Sequence, residues 1–276
     1  MAQSYKSKSP LEIAQEKAEA TNATKGHRNE EDGYDCPKCM NRGYFERVQV
    51  DDLFGIPYSY IVDCECVRTR RSLIRLRKSG LGDVEKKLTF EQYQTPEKWQ
   101  AFVKETAQRF CRDDAHSCFF IGGQSGAGKS HICTAIALHY IYQGRELRYL
   151  KWLDEIDKIK AMYTEDAARY EATLQRIKEA QVLYIDDLFK TGNGADGKHV
   201  PPSHADIKKA FEIIDYRCNR IDLVTIISSE WTQAEMTGID EAVGGRIYEM
   251  SKDGGYCLSI ARDRRKNWRT KDAIIL

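Results

Sequence analysis

The sequence lacks the features of a secreted or membrane-embedded protein. No segment of its 276 residues approaches the roughly 18 apolar residues that a membrane span requires. The N-terminal stretch MAQSYKSKSPLEIAQEK has no apolar core of the kind found in secretory signals. The nine cysteines are odd in number, which argues against a disulfide framework and favours reduced thiols. We therefore expect a cytoplasmic protein that makes no contact with membranes.

Internal repeats, low-complexity segments and a large charge imbalance are missing as well. The 43 basic and 42 acidic residues leave a formal charge of +1, which argues against strong nonspecific binding to duplex DNA. Two stretches are locally basic, at residues 68–78 and 262–271, and the second contains Trp268. Cations beside an aromatic ring suit single-stranded DNA; a solvated helix face or pairing with acidic residues is the alternative explanation.

The chain divides into three segments by composition. Residues 1–33 are polar, and Ser9-Pro10-Leu11-Glu12 has the form of a capping box. It predicts a short helix from Pro10 towards Ala20 in an otherwise flexible segment. Residues 34–85 contain four cysteines and the basic helix of residues 68–78, and they are predicted to form a small domain. Residues 86–276 alternate between strand and helix patterns and form the predicted main domain.

The main domain contains five apolar segments that are predicted strands. They are CFFI at 118–121, LRYLKW at 147–152, QVLYI at 181–185, LVTIISS at 223–229 and YCLSIA at 256–261. Because helical patterns separate them, they predict an α/β fold with a five-stranded parallel sheet between helices.

A glycine-rich loop follows the first of these strands. Its sequence GQSGAGKS matches G-x4-G-K-[ST] in full and precedes a helical pattern, so it predicts a phosphate-binding loop, or P-loop. Backbone N–H groups would hold phosphate oxygens, Lys129 would reach the β- and γ-phosphates, and the Ser130 hydroxyl would bind Mg²⁺. The predicted nucleotide-binding residues are Gly123, Gln124, Ser125, Gly126, Ala127, Gly128, Lys129, Ser130 and His131.

Two adjacent carboxylates end a later strand. In VLYIDDLF, residues 182–189, Asp186 is predicted to hold Mg²⁺ and Asp187 to orient and polarise the attacking water. No clear Asn-Lys-x-Asp element for reading guanine is present, so ATP is the predicted nucleotide. The two motifs together predict an ATPase.

Four cysteines occur as two closely spaced pairs. Cys36 and Cys39 form a Cys-x2-Cys pair, and Cys64 and Cys66 form a Cys-x-Cys pair. Four thiolates from such pairs suit tetrahedral Zn²⁺, and a module this small would depend on the metal for much of its folding. Buried free thiols, redox chemistry at the first pair and His27 as a substitute ligand are the alternatives.

Several elements in order resemble the DnaC/DnaI-type replicative helicase loaders of bacteria and phages, which are AAA+ ATPases. The resemblance rests on IDDLFK, FEIIDYRCNR, TIISSEW and AVGGRIYEM beside the P-loop, and it covers most of residues 34–269. It implies an AAA+ domain in residues 86–276 without a full helical lid, and a zinc-binding domain in residues 34–85 that binds the helicase. It also implies a hexameric replicative helicase and single-stranded DNA as partners, with self-association through the ATP site.

The resemblance further implies roles for individual residues. The strand ending at Ser228-Ser229 corresponds to sensor 1, but Glu230 stands where relatives often have an amide. A carboxylate would be repelled by phosphate at short range, so either Ser229 acts as the catalytic side chain or Glu230 points elsewhere. Arg246 matches the arginine finger, which in AAA+ proteins acts on the ATP of the neighbouring subunit; a surface salt bridge is the alternative. Arg217 is a second candidate that looks structural.

The preferred interpretation is an ATP-dependent loader that delivers the replicative helicase onto single-stranded DNA during replication initiation. An IstB-like transposition ATPase, acting on duplex DNA with a transposase, is the main alternative. A small-molecule kinase with a zinc ribbon is disfavoured by the paired aspartates. A nucleotide-gated adaptor with negligible turnover is conceivable, because Asp187 replaces the commoner Glu and the shorter side chain places water less well.

Overall fold

The contacts of the chain divide it into two units, Met1–Ile74 and Arg75–Leu276. The structure, a computed structural model, describes residues 8–78, 87–191 and 200–270. The domain boundary that the sequence predicts at residues 85 and 86 lies outside the described residues.

The first unit is an antiparallel hairpin accompanied by helices. Its elements are α1 (Pro10–Ala23), α2 (Arg28–Asp32), β1 (Tyr44–Val50), β2 (Pro57–Asp63) and α3 (Cys66–Leu76), which ends just past the division. The predicted capping box is present, since the Glu12 N–H donates to Ser9 Oγ at 3.2 Å and the Ser9 N–H donates to the Glu12 carboxylate at 2.7 Å. The helix predicted from Pro10 is thus confirmed, and it extends to Ala23. Asn22 joins it to the hairpin through two hydrogen bonds with the Glu46 backbone.

The basic stretch at residues 68–78 forms most of α3, and part of it is buried. The Arg70 side chain is only 3% exposed; it pairs with Asp32 and donates to Asn41 Oδ1 at 2.9 Å. Its neighbour Arg71 is exposed and lies 3.9 Å from Asp63. Arg70 therefore serves the folding of this unit and is not available to DNA.

The second unit contains a parallel sheet with the strand order β4-β5-β6-β3-β7. Its strands are β3 (Cys118–Gly123), β4 (Leu147–Lys151), β5 (Val182–Leu188), β6 (Val224–Ser229) and β7 (Cys257–Ile260). Its helices are α4 (Lys98–Phe110), α5 (Lys129–Tyr142), α6 (Trp152–Glu165), α7 (Ala167–Lys178), α8 (His204–Cys218), α9 (Gln233–Ile239) and α10 (Glu241–Lys252). All five predicted strands are present, which confirms the predicted fold class.

The central strands are buried on both faces. Every residue of β3 and of β6 is buried, although successive side chains of a strand point to opposite sides of the sheet. Helices must therefore cover both sides, which explains why these strands are continuous apolar runs without alternation. Beyond β7, the described residues 261–270 contain a 3-10 turn at Arg264–Lys266 and no α-helix that would begin a lid.

Helices long and apolar enough to cross a bilayer were sought in the described parts of the chain, and none was found.

Candidate nucleotide site and metal centre

Three loops meet at the carboxyl edge of the sheet in the second unit. Strand β3 lies between β6 and β7, so the strand order reverses beside it, and ligands of open parallel sheets bind at such a point. The P-loop follows β3, Asp186 and Asp187 lie near the end of β5, and Glu230 follows β6 directly. The pairing of Leu188 with Ser229 keeps the ends of β5 and β6 side by side.

The P-loop has the backbone shape that a phosphate cradle requires. Gly126 and Gly128 have φ angles of +73° and +84°, which residues with a Cβ rarely adopt. A Cβ on Gly126 would also lie 2.0 Å from Asn267 Oδ1. Helix α5 begins at Lys129, directly after the second glycine, so its N-terminus adds unpaired N–H groups and a favourable dipole to the loop.

Lys129 is anchored by the loop that it serves. Its ammonium group donates to the carbonyls of Gly123 and Gln124 at 2.9 and 2.8 Å. Burial lowers the pKa of Lys129, and the negative charges of Asp187 and Glu230 oppose that shift. A phosphate in the loop would offer this desolvated cation a counter-charge, which is the physical basis of its predicted role.

A cavity of about 550 Å³ opens beside the P-loop, within the size range of small-ligand sites. Among the predicted site residues, its wall contains Ser125, Gly126, Ala127, Gly128, Lys129, Ser130, His131, Asp186 and Asp187. It also contains Glu230 of the sensor 1 position and residues that the motifs did not identify, among them Tyr93, Tyr149, Lys190, Trp268 and Arg269.

Asp186 is held by hydroxyl groups from three strands and from α5. Its carboxylate accepts hydrogen bonds from Tyr149 at 2.7 Å, Tyr184 at 2.9 Å, Ser228 at 2.5 Å and Ser130 at 3.2 Å. Burial, together with the charge of Asp186, raises the pKa of both tyrosines, so their phenols stay protonated as donors. Adjacent ligands of octahedral Mg²⁺ lie ~3 Å apart, so the spacing of Ser130 Oγ and Asp186 Oδ1 fits this ion. These two residues would hold Mg²⁺, which would neutralise phosphate charge when bound.

Asp187 is the next-to-last residue of β5, where the chain enters a tight turn that the Lys190 N–H closes on the Asp187 carbonyl. Its φ of +56° is unusual for a residue with a side chain, and Phe189 in the same turn has a φ of +60°. The Asp187 N–H donates to Ser228 Oγ at 3.0 Å, and its carboxylate accepts from Lys190 at 2.8 Å. Asp187 therefore lines the cavity and is already paired with a cation.

Four predicted site residues do not line this cavity, namely Gly123, Gln124, Ser229 and Arg246. The Ser229 hydroxyl is buried, donates to the Leu188 carbonyl at 2.8 Å and does not line the cavity wall. Its neighbour Glu230 does line it. Arg246 lies on α10, pairs with Asp215 at 3.0 Å and Glu249 at 3.2 Å, and likewise does not line the wall.

Arg217 is a structural residue, as the resemblance to the loader family implied. It is fully buried on α8, and its guanidinium donates to the carbonyls of Lys178, Ala180 and Val224 and to the Thr225 hydroxyl. Burial lowers the pKa of Arg217 to about 10.

His131 and Tyr93 form an aromatic edge of the cavity. The His131 Nε2 lies 2.8 Å from the Thr89 carbonyl, and the two rings meet edge to face with centroids 5.1 Å apart. Burial lowers the pKa of His131, although the hydrogen bond to Thr89 opposes the shift, so the ring is favoured in its neutral form.

The second basic stretch is largely engaged within its own unit. Trp268 and Arg269 line the cavity, and the Trp268 N–H donates to the Gly126 carbonyl at 2.9 Å. Arg262 pairs with Glu235 at 3.0 Å, and Lys266 lies over the Trp99 ring. Trp268 and Arg269 therefore have a position in the nucleotide site, and DNA binding is not needed to explain why an aromatic ring lies among basic residues here.

The first unit brings its four paired cysteines together. Ligand atoms of Cys36, Cys39, Cys64 and Cys66 all lie within 4.8 Å of one another, and all four residues are buried. Thiolates around one tetrahedral Zn²⁺ lie ~3.8 Å apart, which the Cys36–Cys64 and Cys39–Cys66 Sγ distances of 3.9 and 3.6 Å match. Burial favours the neutral thiol of Cys39, but the Gly43 N–H and the neighbouring thiols outweigh it and lower the pKa to about 7. The donor set fits zinc, and His27 is not part of the cluster.

A comparison with protein families places the chain. The profile of the family described as IstB-like ATP binding protein matches residues 59–239, which is more than half of the chain. The chain belongs to this family of IstB-like ATP-binding proteins.

Named relatives connect this IstB-like protein to phage elements and to DnaC. The Bacillus subtilis phage-like element PBSX protein XkdC is 30% identical over 234 residues, or 80% of each chain. Uncharacterized protein YqaM of the same species is 31% identical over 75% of this chain and 65% of YqaM, just under two thirds of that relative. The replicative helicase loader DnaC of Buchnera aphidicola is 23% identical over 41% of this chain and 47% of its own. The predicted relationship to DnaC-type loaders is thereby confirmed.

Solved structures support the predicted AAA+ class. The DnaC helicase loader aligns with a TM-score of 0.51 at 20% identity, over 65% of this chain and 99% of its own. AMPPCP-bound DnaA from Aquifex aeolicus aligns with a TM-score of 0.50 at 16% identity, over 67% of this chain and 53% of its own. At these identities the likeness concerns the fold. Together with the family, it confirms the predicted ATP-binding domain and its fold.

Proposed function

We propose that this IstB-like ATPase is a cytoplasmic loader that binds the hexameric replicative helicase and delivers it onto single-stranded DNA during replication initiation. The observation that carries the proposal is an AAA+ nucleotide cavity with paired carboxylates in a chain related to the replicative helicase loader DnaC. ATP would control the assembly and the release of the complex. A transposition ATPase is not favoured. Among the relatives described above, DnaC has a name that states its role, and that role is helicase loading.

The zinc-binding unit supplies a surface for the helicase. At the tip between β1 and β2, Leu53, Phe54 and Ile56 are 88%, 77% and 62% exposed. Apolar side chains clustered on a short hairpin are costly in water and mark a surface for another protein. We assign the hairpin tip, residues 51–56, as the surface that binds the helicase, because the site described in the second unit binds the nucleotide.

Replacing Leu53 and Phe54 together with serine is expected to abolish the complex with the cognate replicative helicase. The matched control is Ile221→Ser, which removes an apolar side chain that is 70% exposed on the ATPase unit. Size-exclusion chromatography of the full chain with helicase, ATP and Zn²⁺ measures the result. No complex with the unaltered chain, or an unchanged complex with the double variant, contradicts this assignment; the first outcome also counts against loading.

We further propose that Arg246 completes the ATP site of a neighbouring copy. Its absence from the wall of its own cavity and its exposed position on α10 support a role in trans. The ion pairs with Asp215 and Glu249 would hold the guanidinium ready on the surface until a second copy docks.

An Arg246→Ala chain is expected to lose about 10³-fold or more of its ATP turnover while still binding ATP. Mixing it with an equal amount of the Lys129→Ala chain should restore about one quarter of the activity, since one interface in four then joins two intact halves. Steady-state phosphate release with helicase and single-stranded DNA present measures this. The control is Arg220→Ala, which breaks an exposed pair with Asp222. Full turnover by Arg246→Ala, or no recovery on mixing, contradicts a shared site.

A further inference from the structure

Lys190 lies between two carboxylates at the wall of the nucleotide cavity. Its Nζ is 2.8 Å from Asp187 Oδ2 and 3.4 Å from Glu230 Oε1, and all three residues line the nucleotide cavity with Lys129. We propose that Lys190 contacts the γ-phosphate of bound ATP and that Glu230 is its positioning residue. The proposal rests on the ATP site and is independent of helicase loading.

The backbone turn at residues 187–190 places the Lys190 ammonium group at the cavity wall. The Lys190 N–H donates to the Asp187 carbonyl at 2.9 Å, closing a turn with two left-handed residues. Such backbone conformations are held only where surrounding contacts fix them. Here Trp231 Nε1 donates to the Phe189 carbonyl at 3.1 Å, and Ser229 Oγ donates to the Leu188 carbonyl. The Ser229 hydroxyl therefore stabilises the turn without lining the cavity.

Lys190 also accounts for the acidic residue at the sensor position. Glu230 is 8% exposed at the cavity wall, where a carboxylate alone would repel phosphate. With the Lys190 ammonium held in front of it, the pair presents a cation to the cavity. The same cation lies against Asp187, so a γ-phosphate that attracts Lys190 would release Asp187 to orient water.

The charges of the cavity favour this assignment. The cavity wall contains the carboxylates of Asp186, Asp187 and Glu230. It also contains the ammonium groups of Lys129, Lys151 and Lys190, of which Lys151 pairs with Asp154. Lys129 belongs to the P-loop, whereas Lys190 approaches from the end of β5, close to Asp187. A phosphate chain that begins in the P-loop would reach Lys190 with its terminal group, so this lysine would distinguish ATP from ADP.

The test compares the affinity for a nonhydrolysable ATP analogue with that for ADP, with Mg²⁺ present, in the full chain. In Lys190→Met we expect the preference for the triphosphate to fall at least about tenfold while ADP affinity changes less than about threefold. Retained ADP binding reports that the site is folded, and Lys190→Gln provides a second, polar variant. Lys151→Met is the matched control, because Lys151 also lines the cavity but pairs with Asp154.

A second background separates phosphate contact from simple neutralisation of charge. In a chain carrying Asp187→Asn and Glu230→Gln, Lys190 has no carboxylate left to neutralise in this cluster. If Lys190 contacts the γ-phosphate, Lys190→Met still lowers the triphosphate preference there, by a smaller factor because the neutral amide of Glu230→Gln holds the ammonium group less firmly than the Glu230 carboxylate. An unchanged preference in either background, or an equal loss in Lys151→Met, overturns the proposal.

Discussion

Replacing Lys129 with alanine is expected to abolish ATP binding. The ammonium group is buried in the P-loop, where its solvation by water is already lost and two backbone carbonyls are its neutral partners. A unit charge ~4 Å from phosphate in a partly buried site contributes about 4 kcal/mol, which corresponds to about a thousandfold in affinity. Alanine loses this attraction and leaves the loop carbonyls without their donor.

The measurement is calorimetric titration with ATP and Mg²⁺, supported by thermal unfolding. A ligand at 100 times its Kd stabilises the native state by about 2.7 kcal/mol, so the unaltered chain should unfold at a higher temperature with ATP, and Lys129→Ala should not. Lys158→Ala, which alters an exposed lysine of α6, is the control for loss of charge. Affinity of Lys129→Ala within about threefold of the unaltered chain would falsify the role given to this residue.

Much of the second unit could be predicted because its signals are local. A strand, a glycine turn and a helix N-terminus occupy consecutive residues in a P-loop, so the motif specifies its own geometry. The central strands β3 and β6 are buried throughout because both faces of the sheet are covered, and their largely apolar runs are visible in the sequence. Asp186 and Asp187 directly follow the apolar run of β5, which places them at the carboxyl edge.

The residues that sequence analysis missed depend on contacts between distant segments. Tyr149 reaches Asp186 only because β4 pairs with β5 in a register that sets Tyr149 opposite Tyr184, and the sequence does not reveal this register. Ser228 and Ser229 are adjacent and chemically identical, and only the direction of each side chain assigns the first to Asp186 and the second to Leu188. Lys190 is part of the IDDLFK element, but the turn that brings it to the cavity wall needs a left-handed backbone at Asp187 and Phe189. Neither residue is glycine, so the sequence does not predict this turn.

The same reason explains the two basic stretches. From composition, Arg70 is one of six basic residues on a helix, yet its partner Asp32 lies 38 residues away in the chain. In the sequence, Trp268 and Lys266 suggest a surface on which a base could stack. In the structure, Lys266 lies over the Trp99 ring and the Trp268 N–H binds the P-loop. Charge runs report which residues are basic, and the fold decides which of them face solvent.

Replacing Cys39 with serine is expected to remove zinc and to unfold the first unit while the ATP site survives. The four thiols converge in a unit of 74 residues whose hairpin carries largely exposed or half-buried side chains. Apolar burial alone is therefore a weak support for this unit. Structural zinc in small domains contributes about 10–16 kcal/mol of apparent binding free energy at neutral pH, which exceeds what such a core can replace.

The expected result has three readouts on the full chain. Elemental analysis should find about one zinc per unaltered chain and none in Cys39→Ser. Hydrogen exchange of residues 28–74 should rise to that of an unfolded segment, whereas residues 118–191 keep their protection because they belong to the other unit. ATP affinity should stay within about threefold of the unaltered chain.

Cys218→Ser is the matched control, because Cys218 is a half-buried thiol of α8 outside the cluster. It should retain zinc, protection and ATP binding together. A freshly reduced chain that contains no zinc, yet whose first unit stays protected from exchange, would instead indicate buried free thiols or a redox pair. Loss of ATP binding in Cys39→Ser would show that the two units do not fold independently, since the mutated thiol and the P-loop belong to different units.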